Sequence, residues 1–441
     1  MTLKQRGAES ADLKRLTIDD LTREAYWSRR PTIEEQGWLA SIADLSPEPF
    51  VLNAQLGADH APTIEPIVVR DIDGWRANRY IGEIRHGGRT LEIRPRLGVE
   101  TITGWISTIL NVQVLPRSAA LSGSTNRVVT QLLAALWRAS VLTAGQHALP
   151  RRKVKISSSD LMVRGRLDVA ETARRRASGH RDLASIQVVR SYDNAPARAV
   201  VLADRYFDQQ LAGNRWRGPW LGERLSILRS HTGARPKLPT LQEIRRTRYS
   251  PITAKWQRAA ELSWRILQDD PLGVAADDES THGVLVDVAE LWELFVLHCV
   301  GLATEHPVRH GTNRNAFGQL ARSTVDPSQA MGQLYPDILV GEKPITAILD
   351  AKYKRLSGRR GVDREDLYQI HAYSTASGAP IAALAYPATK LEMPTVELQS
   401  PWRTSVSNLS FLTLPTERDK CVSKLQHWFA TMGSGPIPEY D

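Results

Sequence analysis

The sequence predicts a multidomain α+β protein. Three observations carry that expectation: strand-like alternation over residues 50 to 97, apolar residues at spacings of three and four from about 102 to 275, and mixed helix and strand patterns in the last third. A length of 441 residues also exceeds what one hydrophobic core usually organises. The expected division is a β-rich N-terminal domain (1-101), a mainly helical middle region (102-279) and a C-terminal α/β domain with a mixed sheet (280-441).

A short helix is expected in "TIDDLTREAYW". Strands follow in "FVLNAQL", "PIVVRDI" and "RYIGEIRHGGRTLEIRPRL". The last holds two alternating runs around "HGG", where glycine accepts the positive backbone angles of a hairpin turn. Four helices are read from "ETITGWISTILNV", "TNRVVTQLLAALWRASVLTAG", "NAPARAVVLADRYFDQQLAG" and "SPITAKWQRAAELSWRILQDD". The basic or Pro- and Gly-containing stretches "PRRKVKISSSD" and "RSHTGARPKLPT" are read as loops, and "DDPLGVAADDESTHG" as a boundary. Beyond it come a helix (about 284 to 304), strands at 335 to 340 and 345 to 353, a helix (363 to 376), a strand (380 to 386), a strand near "LSFLTLP" and a terminal helix.

Hydrophobic residues make up 42% and charged residues 24%, enough for buried cores. Lys plus Arg number 57 against 48 Asp plus Glu; the +9 balance suits a nucleic-acid partner without requiring one. Two cysteines, Cys299 and Cys421, exclude a disulfide framework or a multi-cysteine zinc site and point to a reducing, cytoplasmic setting. No export signal or window of about 18 apolar residues is present. No "GxxxxGK[ST]" loop occurs, so this chain is expected to bind no nucleotide by that route, and no "GxSxG" or Cys/His nucleophile pattern stands out.

The chemistry concentrates in "YPDILV…ILDAKYK". Read as a hairpin with Val340 opposite Ile345, these segments set Asp337 opposite Ile348 and on the same face as Asp350 and Lys352. Two carboxylates meeting in a partly dry site repel unless a cation joins them or one is protonated. Mg2+ usually takes one or two carboxylates and fills its remaining positions with water and phosphate oxygens. An ammonium beside it can offset charge developing on phosphate. The chemistry implied is metal-assisted phosphodiester hydrolysis. A plain Asp350–Lys352 salt bridge, with Asp337 capping a turn, explains the bare spacing equally well. Two further features favour the first reading. Gln369 and Tyr373 lie one helical turn apart in "DLYQIHAY", and Glu293 interrupts a strongly apolar helix, where an unpaired carboxylate is costly.

Taken in order, these segments resemble the PD-(D/E)xK nuclease fold. More narrowly, "LWELFV", "YPDILV", "ILDAKYK" and "DLYQIHAY" resemble the McrC family, the nuclease subunit of McrBC modification-dependent restriction systems. "YIGEIRHGGRTLEIRPRL" and "LPRRKVKISSSDLMVRGRLDVAET" extend the likeness upstream, over about residues 78 to 390. The resemblance implies Asp337 and Asp350 as metal ligands and Lys352 as catalytic lysine. It makes Glu293 an auxiliary acid holding a metal water, with Gln369 and Tyr373 in support. Mg2+, with Mn2+ as a substitute, is the implied cofactor. It further implies an McrB-like AAA+ GTPase ring as partner, double-stranded DNA containing modified cytosine as substrate, and stimulation of the ring by the β-rich N-terminal part. Arg85, His86, Arg89 and Arg94 of the hairpin are candidates for reaching that partner, although a solvated hairpin has the same composition. One departure is "LWE", where the family usually has "LFE"; the acid is kept. A vestigial nuclease serving as NTPase-activating adaptor, and a stand-alone repair nuclease, are the competing readings.

The run "KRLSGRRGVDRE" gathers Lys354, Arg355, Arg359 and Arg360 near the site, as a DNA-backbone track or a solvated loop. "PRRKVK" leans towards a solvated loop. His306 and His310 lack companions for a zinc site, and the 12 tryptophans are read as core.

Overall fold

The computed structural model describes residues 15–22, 27–46, 51–52, 65–109, 125–211, 216–233, 235–268, 281–311, 318–326, 328–354, 362–388 and 402–432. In the first part of the chain, β1 (Arg15–Asp19), α1 (Ile33–Ala43), β2 (Val51–Leu52), β3 (Val68–Asp71), β4 (Gly74–Ala77), β5 (Tyr80–His86) and β6 (Arg89–Arg94) precede the helices α2 (Val99–Ile109) and α3 (Thr125–Ala144). The "HGG" hairpin forms as expected: β5 and β6 pair antiparallel from His86 and Arg89, with Gly87 and Gly88 at positive φ. Thr17–Asp19, read as part of a short helix, instead pair with Glu92–Arg94 in the parallel strand β1, which buries Leu16 and Ile18.

The sheet order β1-β6-β5-β10-β2 includes a strand from far downstream, β10 (His282–Asp287). Residues 284–287, read as the start of a helix, pair antiparallel with β5. Close approach of the two strands depends on Gly82: its φ is +140°, and an added Cβ would overlap the Val284 carbonyl oxygen. Asp287 ends β10 and caps the next helix, α9 (Val288–Ala303), by accepting from Ala289 N at 3.0 Å and Glu290 N at 3.2 Å. A strand thus runs directly into the helix carrying Glu293. The core of this sheet gathers Leu16, Ile18, Leu39, Ile84, Leu91, Ile93 and Leu285.

The following elements are β11 (Val308–His310), β12 (Gly318–Arg322), β13 (Ala330–Leu334), β14 (Ile338–Val340), β15 (Ala347–Ala351), α10 (Arg364–Ser377), β16 (Ile381–Pro387), β17 (Trp402–Arg403), β18 (Asn408–Leu414) and α11 (Arg418–Met432). Six of the strands form a mixed sheet in the order β11-β14-β15-β16-β18-β17. Parallel pairing joins β15 to β16 and β16 to β18, with antiparallel pairs elsewhere, as the helix and strand order led one to expect. Helix α10 supplies the β15-to-β16 crossover and ends at Gly378, whose φ of 66° suits the left-handed C-terminal position. Ile370 and Tyr373 of α10 pack with Ile348, Leu384 and Tyr386.

Chain contacts define two units, Met1–Leu132 with Gly273–Asp441, and Leu133–Leu272. The N-terminal strands and the C-terminal third therefore share one unit, where the sequence reading divided the chain into 1-101, 102-279 and 280-441. The second unit holds β7 (Arg152–Asp160), β8 (Arg166–Leu167), α4 (Val169–Ala177), β9 (Leu183–Ser191), α5 (Ala195–Leu211), α6 (Gly218–Thr232), α7 (Leu241–Arg246) and α8 (Lys255–Gln268). Its helical core encloses Trp137, Phe207 and Trp256, with indole donors satisfied by Ser263 Oγ for Trp137 and Ala148 O for Trp256, both at 2.8 Å. The mainly helical expectation needs one correction. "PRRKVKISSSD", read as a loop, contains a nine-residue strand in the three-stranded sheet β7-β9-β8.

Candidate active site

The residues "YPD" lead into β14, which pairs Ile338 with Leu349, Leu339 with Ile348 and Val340 with Ala347. Continuing that register by one residue sets Asp337 opposite Asp350. The register read from sequence, Val340 against Ile345, is displaced from this by two residues. The turn is longer than "GEKP": Thr346 N donates to Val340 O at 2.9 Å, and Ile345 is buried outside the strand. Side chains alternate with period two, so a two-residue shift keeps Asp337, Asp350 and Lys352 on one face and places the two carboxylates directly opposite rather than diagonal. Gly311 permits this geometry locally, since a Cβ there would overlap the Pro336 carbonyl oxygen.

Asp337 is anchored through Oδ2, which accepts from Ala351 N at 2.7 Å. Asp350 is 1% exposed, and its Oδ1 meets no hydrogen-bond donor among the described residues. Lys352 Nζ lies 2.5 Å from Asp350 Oδ2 and 3.8 Å from Asp366 Oδ1. It also donates to Gln369 Oε1 at 2.7 Å. Gln369 Nε2 in turn donates to Tyr373 Oη at 2.7 Å, and that hydroxyl donates to Tyr335 O at 3.1 Å. Helix α10 thereby ties the lysine to the backbone two residues before Asp337. Asp337, Asp350, Lys352, Gln369 and Tyr373, all named from the sequence, lie together.

Glu293, on α9, touches His310 Nε2 through its carboxylate. Burial, then the charges of Glu290, Asp350 and Asp287, push its carboxyl up to about 8. Burial followed by Asp350 and Glu293 raises Asp337 well above the ordinary carboxylate range, and burial raises Asp350 against the pull of Lys352. Burial opposes the charge on Lys352, but Asp350 and Asp337 outweigh it and hold the ammonium more firmly protonated than a free lysine. Carboxylates held close at this cost are what a hard cation relieves. Among the described residues, no three His, Cys, Asp or Glu side chains close on one point as a preformed metal cage would. The donors nevertheless suit a cation of the Mg2+ type, which needs only one or two carboxylates and completes its shell with water and phosphate. Asp337 and Asp350 supply such a pair, and Asp350 Oδ1 is an orphaned acceptor. Glu293, held by His310, lies close enough to Asp350 and Asp337 for their charges to act on one another.

Two neighbours escaped the sequence reading. His310 was considered only with His306 for zinc, yet it faces Glu293 from β11, a strand away. Asp366 binds Lys354 Nζ at 2.7 Å and accepts from Tyr386 Oη at 3.4 Å; its position one turn into α10 was the available signal. Lys354 is thus paired with Asp366 and Asp363 while its side chain stays 36% exposed. Arg355, Arg359 and Arg360 lie outside the described residues. The hairpin candidates all have partners within the chain: Arg85 with Glu83, His86 with Thr281, Arg89 with Glu34 and Glu35, and Arg94 with Glu92. The tryptophan of "LWE", Trp292, is buried and donates to Ala385 O at 3.1 Å; the same carbonyl accepts from Lys352 N at 2.8 Å.

Just past the lysine, Tyr353 reaches the N-terminal part of the chain. The Arg96 guanidinium stacks over its ring at 4.6 Å and lies 3.9 Å from Asp20, which is fully buried. Burial pushes the Asp20 carboxyl up to about 6, opposed by Arg96.

These features define a mixed α/β protein with an acidic, lysine-containing site on its central strands. Residues 75–387 match the family model described as McrBC 5-methylcytosine restriction system component, and the chain belongs to that family. The family resemblance read from the motifs is borne out. Among solved structures, the fold resembles a chain in the refined half-complex from a tetradecameric assembly of Thermococcus gammatolerans McrB AAA+ hexamers with bound McrC. That match has 15% identity and a TM-score of 0.51 and covers 95% of this chain and 100% of that one. A chain of the Thermococcus gammatolerans McrBC complex matches at 15% identity with a TM-score of 0.37, over 66% of this chain and 89% of that one. No protein of curated function matches the sequence. Among the described residues, no helix is long and apolar enough to cross a membrane.

Proposed function

We propose that this chain is the Mg2+-dependent endonuclease subunit of a modification-dependent restriction complex, with a PD-(D/E)xK-type site, and that it cuts double-stranded DNA containing modified cytosine when bound to an McrB-like AAA+ GTPase ring whose hydrolysis it stimulates. The observation that carries this reading is the convergence of Asp337, Asp350 and Lys352 on one face of adjacent strands. Family membership and the McrC-containing structural neighbour support it.

Asp337 and Asp350 would hold the cation, which when bound withdraws charge from a phosphate oxygen and makes water more acidic. Lys352 holds its proton, so its ammonium offsets charge gathering on the phosphate as the bond breaks. Gln369 fixes the direction of Lys352 Nζ, and the Tyr373 hydroxyl fixes Gln369. Glu293 is a carboxyl able to gain or lose a proton near neutrality.

The test is reconstitution of the full chain with its AAA+ partner, DNA with and without modified cytosine, Mg2+ and GTP or ATP. Lys352→Ala is expected to lose cutting by at least about 100-fold, the scale of removing one charge-stabilising donor, while stimulation of nucleotide hydrolysis persists. A native complex that never cuts DNA with Mg2+ overturns the nuclease reading and leaves the adaptor.

A further inference from the structure

We infer that the face of the three-stranded sheet formed by Lys153, Lys155, Arg166 and Arg190 is a docking surface for the phosphate backbone of duplex DNA; the inference deepens the nuclease reading and rests on it.

The register places these residues together. In the β7–β9 pair, Lys153 stands opposite Arg190, Lys155 opposite Val188 and Ser157 opposite Ile186; β8 brings Arg166 opposite the same Ile186. Directly opposed residues of an antiparallel pair project from the same side, so the four cations share one face with Ser157 and Ser159. No acid of β7, β8 or β9 occupies that face. All four cations are exposed, and Val188 between them is 57% exposed, so among the described residues nothing covers this end of the face; the far end, at Ala184, is buried.

The charges are also unmet among the described residues. Residues 151–200 hold 12 Lys and Arg against five Asp and Glu, a surplus of seven where the whole chain carries +9. The five acids are committed elsewhere: Asp160 to Arg164, Glu171 to Arg174, Asp182 to Arg175, Asp193 to Arg198, and Asp168 to the N-terminus of α4. None of the four cations has a carboxylate partner among the described residues. Lys153 and Arg190 are like charges in direct cross-strand opposition, an arrangement that weakens a sheet. Folding stability does not explain that pairing; an external polyanion does.

Spacing and chemistry favour nucleic acid over an acidic protein. Lys153 and Lys155 are two residues apart, roughly 6.6 Å along the strand, a spacing that lets both meet the closely set charges of a duplex, one per about 3.4 Å of axis on each strand. Ser157 and Ser159 extend the row with neutral donors of the kind that contact phosphate oxygens without reading sequence.

The test is fluorescence anisotropy of the purified full chain on an unmodified 30-base-pair duplex (a length of about three helical turns) in EDTA, across a salt series. Binding is thereby separated from cutting. The combined variant Lys153→Gln, Lys155→Gln, Arg166→Gln, Arg190→Gln is expected to bind at least 10-fold more weakly at about 0.1 M salt, and to reduce the magnitude of the slope of log K against log salt by about 3.6, since each of four phosphate contacts contributes about 0.9. It should melt no lower than the native chain, because a repulsive pair has been removed. Arg245→Gln with Arg246→Gln, which removes basic residues of α7, should leave affinity and slope unchanged. Unchanged affinity and slope in the combined variant, or no duplex binding by the native chain at low salt, overturns the inference. Failure of the nuclease reading is seen separately, as absence of Mg2+-dependent cutting by the native complex, and leaves the binding result readable.

Discussion

Asp337→Asn should make the metal-free protein more stable while abolishing its cutting. The amide keeps the size of the side chain and the acceptor for Ala351 N, and leaves the Asp350–Lys352 pair intact. What it removes is one negative charge opposite Asp350 and near Glu293. Opposed antiparallel residues lie about 5 Å apart, and two unit charges at that distance with an effective dielectric of about 20 repel by about 3 kcal/mol. Lys352 offsets part of this, so the expected gain is on the order of 1–3 kcal/mol. A cation at a hundredfold excess over its Kd would stabilise the native chain by about 2.7 kcal/mol, closing the gap. The assay is thermal unfolding of both proteins in EDTA and in Mg2+, following the transition of the unit that contains the site, together with DNA cutting by the reconstituted complex. Expected are a higher Tm for the variant in EDTA, a Mg2+-dependent rise confined to the native protein, and no cutting by the variant. A variant that melts at or below the native Tm in EDTA, or that responds equally to Mg2+, refutes the electrostatic account.

Tyr373→Phe removes the hydroxyl that links Gln369 to Tyr335 O. A loss of about 1–2 kcal/mol in stability and a fall in kcat larger than any change in KM are expected, and unaltered kcat would remove Tyr373 from the site's support. Asp20→Asn tests the buried carboxyl near Tyr353. Because the folded-state value is raised from 3.8 to about 6, the native chain is most stable below the unfolded value and loses stability as pH rises through about 6. The stability advantage of the variant should therefore open between pH 4 and pH 7, approaching about 3 kcal/mol, read as a rising Tm difference; a pH-independent difference contradicts it. Gly82→Ala sets a side chain against the Val284 carbonyl at positive φ. It should cost about 3 kcal/mol or more, measured by denaturant unfolding, and a near-neutral result would mean that β5 and β10 are not paired as described.

Much of the site was legible because period-two alternation survives an even error in register. The sequence misplaced the turn after Val340 by assuming its shortest form, yet Asp337, Asp350 and Lys352 stayed on one side. The hairpin around Gly87 and Gly88 and the long helices were equally legible, since glycine pairs and helical spacing are local signals. What failed was non-local or exposed. "HGVLVD" is a short apolar run flowing into a helix, and only its pairing with β5 makes it a strand. β7 is largely exposed along its length, so no buried face marked it. His310 gains its meaning from Glu293, 17 positions earlier, and no local pattern links the two.

The position of β10 in the middle of the N-terminal sheet has a consequence for synthesis. Strand β5 leaves the ribosome about 200 residues before its neighbour; at roughly 5–20 residues per second that is a wait of tens of seconds with an unsatisfied edge. During that interval the nascent chain presents an open template for wrong pairing, and the inserted helical unit has time to fold first. A chain ending before His282 would never close that gap, so a fragment truncated there is expected to be prone to aggregate.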